Sequence, residues 1–316
     1  MISCTEFIPS YSELFTYIEE KHGKQAVRDY WEYLFKAEKD GTPLAKSLTA
    51  NRNTVKGCWD YWTGTLNEEA ADFTMYLNEK AGWFAFDMHY CPSKGRLLEA
   101  KERYGLTPYP DYCLHCDYYR RAIERAGLTY MFNFINSDKA GCMGIVTDPK
   151  IFDGRMIVDE NTVVMDRKAS DNEYFHRGFH SSLNKGMEYV AENFGVEEIR
   201  EYLTAFTHHV YGRELEEMKK SGLSALEQFI HRPYAAEHCA DACVTKLSAD
   251  GKKLDVTVRY CPAVKFFREN GEEVSDFYPM TTIVVMETLA EEMNARFFWE
   301  SYDKETGAAE YSFELK

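Results

Sequence analysis

The chain predicts an α+β fold made of two tandem copies of one unit, each a helical segment followed by a small antiparallel sheet. Three observations carry this. At an offset of 172 residues, Tyr17, Glu20, Gly23, Arg28 and Tyr30 meet Tyr189, Glu192, Gly195, Arg200 and Tyr202, with the conservative pairs Ile18/Val190, Val27/Ile199 and Asp29/Glu201 between them. The match continues in order downstream: Tyr90-Cys91-Pro92 answers to Tyr260-Cys261-Pro262, Tyr109-Pro110 to Tyr278-Pro279, and Asp138-Lys139 to Asp303-Lys304. Within each copy, helix-period segments give way to runs with strand character. The copies span 1–148 and 172–316, and 149–171 connects them.

The elements follow in order. Residues 11–37 read as an amphipathic helical segment and 42–50 as a further helix. Gly64-Thr65, flanked by Trp59, Trp62 and the Glu68-Glu69 pair, reads as a turn before the first strand, its carboxylates solvated. That strand is Trp83 to Met88. Cys91-Pro92 closes it, because proline cannot donate to a ladder. A helix over 112–126 starts at Asp111, an N-cap residue, and stops at Gly127. Tyr130 to Ile135 then pairs with Cys142 to Val146. In the connector, Arg155 to Val158 and Thr162 to Met165 suggest a hairpin turning at Asp159-Glu160-Asn161. The second copy has helices over 173–193, 196–211 and 213–230, a strand at Leu254 to Val258, and a final pair, Arg296 to Glu300 with Glu310 to Phe313.

Bulk properties narrow the function. At 316 residues with 45% hydrophobic content, the chain can bury a full core. Its balance of 37 Lys+Arg against 52 Asp+Glu, a formal charge of −15, supplies no basic face for phosphate, which excludes nucleic acid. The N-terminal residues lack the pattern of a secretory leader, and no apolar run approaches the roughly 20 residues of a membrane span. A cytoplasmic protein without a membrane partner is expected. Nine cysteines, an odd number at low density, point to reduced thiols or a metal site rather than a disulfide framework. Aromatic residues at 15%, including 22 tyrosines, suit both core packing and a pocket for a small organic ligand.

The densest chemistry lies between Tyr112 and Cys142. Cys113, His115, Cys116 and Asp117 fall within five residues, Cys142 closes the stretch and Cys91 precedes it. On an α-helix, Cys113, Cys116, Asp117 and Arg120 share one side, while His115, Tyr119 and Ile123 line the next. Cys113 in the first turn would meet unpaired N–H groups and a helix dipole that favour its thiolate. The second copy lacks this cluster. Thr282, Val285 and Met286 stand opposite Cys113, Cys116 and Asp117, and Gly307-Ala308-Ala309 opposite Cys142, so the first copy holds the expected live site.

A strand ending in Cys91, a later Cys113 near Asp117 at a helix start, and a terminal hairpin whose second strand opens with Cys142 together resemble the L-2-amino-thiazoline-4-carboxylic acid hydrolase family. The plan of helices, strand, helix and hairpin is also similar to vinyl-reductase-type and haem-NO-binding-like domains, which commonly pair as dimers. The first resemblance implies hydrolysis of a C–N bond in a small cyclic amidine. The second implies a small-molecule- or zinc-binding regulatory module, with a tandem copy imitating the pair inside a monomer, or a homodimer. Two mechanisms suit the residues. Cys113 or Cys116 attacks as thiolate, with His115 moving protons and Asp117 orienting a partner. Alternatively Cys91, Cys113, Cys116 and Cys142, or three of them with His115, hold Zn²⁺.

Weaker constellations remain. Glu173, His176 and His180 would share one face of a helix opening the second copy, and two histidines four apart can chelate a metal. His208-His209 follows later, and adjacent helical residues diverge. Cys239 and Cys243 form a Cys-x3-Cys pair expected to pack within a helix.

Overall fold

The computed structural model describes residues 1–36 and 42–316. Among them the fold is α+β, with two antiparallel sheets. The chain forms two compact units, each drawn from separate stretches. The first unit contains Ile18–Glu99 and Pro108–His176, and the second contains Met1–Tyr17, Ala100–Thr107 and Arg177–Lys316.

The expected helix 11–37 is two helices, α1 (Phe7–His22) and α2 (Lys24–Lys36), broken at Gly23, whose φ of 85° an L side chain rarely adopts. Its last expected residue, 37, lies outside the described residues. Helix α3 (Pro43–Ala50) is capped by the Thr42 hydroxyl on the Ala45 N–H at 3.3 Å, with proline at its first position. Helix α4 (Val55–Glu68) replaces the turn expected at Gly64-Thr65. It presents Cys58, Trp62 and Leu66, four residues apart, to the interior, and this periodic face overrides the single glycine.

Strands β1 (Asp72–Asn78) and β2 (Trp83–Tyr90) form a hairpin. Helix α5 (Pro92–Tyr104) follows, then the stretch once expected as a helix over 112–126. That stretch is a 3₁₀ helix, Tyr112–Tyr119, continued by α6 (Arg120–Arg125). Asp111 makes no side-chain cap; its carbonyl accepts the Leu114 N–H at 2.9 Å, an i to i+3 bond. Strands β3 (Thr129–Asn133) and β4 (Cys142–Thr147) complete the copy. Of the expected connector hairpin, one strand exists, β5 (Val163–Arg167), and it pairs with β1 rather than with 155–158. The sheet order is β3-β4-β2-β1-β5. Its inner face packs Phe73, Met75, Leu77, Phe84, Phe86, Tyr130 and Val146 against Trp62 and Leu66.

In the second unit, α7 (Phe179–Asn193) starts six residues later than expected, and α8 (Val196–Val210) follows Gly195 at φ 106°. The helix expected over 213–230 is two, α9 (Gly212–Ser221) and α10 (Leu223–Ala236), separated at Gly222, φ 68°. Strand β6 (Cys243–Leu247) opens with the cysteine expected inside a helix, and β7 (Lys253–Val258) pairs with it. Helices α11 (Pro262–Glu269) and α12 (Met280–Glu292) precede β8 (Ala295–Tyr302) and β9 (Ala309–Leu315). The order is β6-β7-β9-β8. Read from the first hairpin, both sheets run first, second, fourth, third strand, the same connectivity. Tyr-Cys-Pro takes the same role in both: Cys91 N–H bonds Ala140 C=O at 2.6 Å and Cys261 N–H bonds Thr306 C=O at 2.9 Å. No helix of the described residues is long and apolar enough to cross a membrane.

Two glycines of α4 give opposite expectations. A Cβ on Gly57 would lie 2.6 Å from the Leu48 Cα, so α3 and α4 could not keep their approach, whereas Gly64 is exposed with no atom within 4 Å. Gly57→Ala should destabilise by about 1–3 kcal/mol. Gly64→Ala should stabilise by about 1 kcal/mol. Urea unfolding followed by circular dichroism measures both, and equal signs would contradict the packing described.

Candidate functional site

The 3₁₀ geometry of Tyr112–Tyr119 decides which side chains meet. With three residues per turn, positions i and i+3 eclipse. Three ridges result: Tyr112, His115 and Tyr118; Cys113, Cys116 and Tyr119; Leu114, Asp117 and Arg120. The α-helical expectation placed Asp117 with the two cysteines. It stands instead on the outer ridge, where its carboxylate takes the Arg120 guanidinium at 2.7 and 3.4 Å. Arg120 also donates to the Tyr130 carbonyl at 2.6 Å, so Asp117 positions an arginine that ties this segment to β3.

The four expected thiols come from three places. Cys91 sits at the corner between β2 and α5, where its Sγ accepts the Lys94 N–H at 3.5 Å. Cys142 opens β4 opposite Met88 of β2. Cys113 and Cys116 face in from the 3₁₀ ridge. Cys113 is close enough to disfavour ionisation of Cys116. Burial, then Cys113, Cys91, Cys142 and Glu69, push the Cys116 thiol well above its ordinary value. Burial, with Cys113 and Glu69 adding to it against the Lys94 N–H, pushes Cys91 up to about 12. Burial raises Cys142, with Cys91, Cys113 and Asp87 adding. Cys113 was expected to be favoured as a thiolate; burial raises it too, against the pull of Lys94. The lost α-helical first turn removes the dipole that the expectation relied on. Among the described residues no disulfide forms.

His115 is the most specifically placed group. Its Nδ1 bonds the Tyr112 carbonyl, which can only accept, so Nδ1 carries the proton. Burial lowers the ring to about 4, hence it is neutral near pH 7 and its Nε2 lone pair faces the Cys116 thiol at 3.6 Å. Trp31 of α2 leans on this ridge, 6.4 Å from the His115 ring and 5.8 Å from Tyr118.

Glu69 was expected among solvated turn charges. It is buried, and burial raises its carboxyl, with His176 and Arg96 pulling the other way. It disfavours ionisation at Cys91, Cys116 and Tyr119. The signal that could have found it is the repeat itself: Glu69-Ala70 at the end of α4 matches Glu237-His238 at the end of α10, where Ala70 and His238 both adopt φ near 50–55°.

Glu173, His176 and His180 do not share a helix face, because α7 begins only at Phe179. His176 Nδ1 bonds Glu68 Oε2 at 2.8 Å, and the neighbouring Phe175 N–H bonds the Glu68 carbonyl at 2.8 Å. His180 belongs to the second unit, where its Nε2 meets Glu237 Oε1 at 2.8 Å. With Cys4 these form the single group of three His, Cys, Asp or Glu ligand atoms, among the described residues, that lie within 4.8 Å of one another and could hold a metal. Of the other pairs, His209 meets Glu13 at 2.8 Å, and Cys239 and Cys243 are buried.

The second copy carries an aromatic-lined cavity of about 20 Å³, room for about one water, beside Cys261, with Tyr234, Tyr278, Trp299, Tyr302 and Tyr311 around it. Thr282 stands there where the first copy has Cys113.

Compared with known proteins, the chain matches no family model, no curated protein and no solved structure.

Two outcomes test this geometry. The ring proton signals of His115 should titrate near pH 4. Because the unfolded ring takes up its proton near 6.5, the fold should lose stability as pH falls from about 6.5 towards 4. A midpoint near 6.5 would place the ring in solvent. Asp117→Asn should lower stability by less than about 1 kcal/mol, since both partners of its ion pair are more than a third exposed.

Proposed function

We propose that the first repeat is a thiol-rich site for a divalent zinc-type metal ion within a small-molecule-binding regulatory module. The ligand set is Cys91, Cys113, Cys116 and Cys142, with His115 and Glu69 beside it. The observation that supports this is that Cys91, Cys113 and Cys142, brought from three elements, all disfavour ionisation of the Cys116 thiol. Four adjacent thiols without a cation are forced to stay protonated. A divalent ion reverses every one of those penalties, because it stabilises the thiolates that burial and mutual repulsion disfavour. The donor set suits zinc, which takes cysteine sulfur and neutral imidazole in tetrahedral sites. No three of these ligand atoms lie within 4.8 Å of one another, so metal binding requires the 3₁₀ segment to move inward. A 3₁₀ run of eight residues is longer than is usual and gives readily.

A second reading rests on the Cys116–His115 contact. A thiol facing an imidazole that is oriented by a third group is the arrangement of an activated nucleophile. With the resemblance of Cys91, Cys113, Asp117 and Cys142 to the thiazoline hydrolases, it supports C–N bond hydrolysis in a cyclic amidine. The two pKa displacements disfavour it: the thiol is raised and the imidazole lowered, so proton transfer from Cys116 to His115 is uphill from both sides.

Metal analysis of protein purified without chelators separates the readings. The expected result is zinc that is lost in Cys113→Ser and in Cys142→Ser, with affinity rising with pH because thiol protons must leave. Thiols that remain fully reactive towards a disulfide reagent in saturating zinc would overturn the metal reading. Ammonia release from cyclic amidines that disappears in Cys116→Ser would establish the hydrolase.

A further inference from the structure

We propose that Cys4, His180 and Glu237 form a second, independent metal site, for a divalent transition-metal ion that pins the segment before α1 to α7 and α10. The three residues are brought together from far apart in sequence. Cys4 precedes α1, His180 lies in the first turn of α7, and Glu237 caps α10. They are exposed by only 1%, 1% and 5%. The donor types, sulfur, imidazole nitrogen and carboxylate oxygen, suit zinc and its neighbours rather than magnesium or calcium.

A second observation points to a ligand. Glu237 Oε1 accepts the Cys4 N–H at 2.7 Å and faces His180 Nε2 at 2.8 Å, but Oε2 is buried with no conventional hydrogen-bond donor among the described residues. The carboxylate otherwise faces the Cys4 thiol, a weak donor. An unsatisfied buried carboxylate oxygen is costly, and a cation satisfies it.

Charge balance selects the ion. Binding of a divalent ion M²⁺ releases the Cys4 proton to solvent. His180 moves its proton to Nδ1 and offers the Nε2 lone pair. One thiolate, one carboxylate and M²⁺ then sum to zero, the net charge that a buried site tolerates best. A water completes four-coordination, as in other sites with three protein ligands.

The position of Cys4 is prepared beforehand. The Ser3 hydroxyl meets the Thr5 hydroxyl at 2.9 Å and accepts the Thr5 N–H at 3.1 Å, while Ser3 C=O takes the Glu6 N–H at 2.9 Å. The turn aims the Cys4 side chain with little further ordering cost.

The decisive test is anomalous scattering from crystals of the full-length wild-type protein grown in zinc. A zinc peak bonded to Cys4 Sγ, His180 Nε2 and Glu237 is expected. Saturating zinc with no peak there would overturn the proposal and leave a buried hydrogen-bonded triad. In solution, Co²⁺ added to chelator-treated Cys113→Ser/Cys142→Ser protein should give a thiolate-to-cobalt absorption band that Cys4→Ser removes. A band that survives Cys4→Ser in folded protein would also reject it. The double variant removes two of the four first-repeat ligands and leaves Cys91 and Cys116, so the second site is assigned only the part of the band that depends on Cys4, and failure of one site is distinguishable from failure of the other.

Discussion

The backbone bond made by the strand-end cysteine in each copy is the tie on which the arrangement depends. Proline after Cys91 and after Cys261 ends the ladder and opens a helix in one step. The cysteine N–H, left outside both elements, bonds the loop before the final strand: Ala140 in one copy, Thr306 in the other. That bond fixes where β4 and β9 start. In the first copy it brings Cys142 beside Cys91, and in the second it brings Gly307 so near Cys261 that an added Cβ would lie 2.4 Å from the cysteine Cβ. The corner is a device for holding one sulfur and one loop together, and the chemistry differs with what the loop carries.

Against that shared frame, the copies differ in one helix. Met280–Glu292 is a regular α-helix with Thr282, Val285 and Met286 facing in, while its counterpart is 3₁₀ over the thiols. Apolar side chains at those positions pack in α geometry without conflict. Two half-buried thiols, a histidine bound back to the Tyr112 carbonyl and a tyrosine hydroxyl 3.1 Å from Ser93 hold the other helix to a tighter winding. The site is therefore a departure from the regular fold, which is where functional constraint commonly shows.

Much of the architecture was legible in the sequence, because the repeat is written in residues with strong backbone preferences. Gly23 and Gly195, and the two Tyr-Cys-Pro corners, report positions where few alternatives fold. What escaped reading depended on tertiary choice. Strand β1 alternates Phe73, Met75 and Leu77 inward, but the preceding Glu68-Glu69 read as a solvated turn and hid the end of α4. The 3₁₀ winding has no compositional mark, so Asp117 was placed on the wrong ridge. Burial of Glu69 had no local mark to set it apart from Glu68, and only the match of Glu69-Ala70 to Glu237-His238 across the repeat carried a signal. Cys4, His180 and Glu237 lie in three remote segments, and no spacing rule could have joined them.

The division of the chain between its two units bears on the order in which they are made. The first unit is complete once residue 176 has been synthesised, and it can close while the rest is still being added. The second unit needs residues 1–17 and Ala100–Thr107 together with the later segment from Arg177 to Lys316. Residues 1–17, with Phe7, Ile8 and Phe15 destined for burial, wait undocked until that later segment follows. Until then Cys4 lacks both His180 and Glu237, the two groups that close over it, because they lie in that later segment.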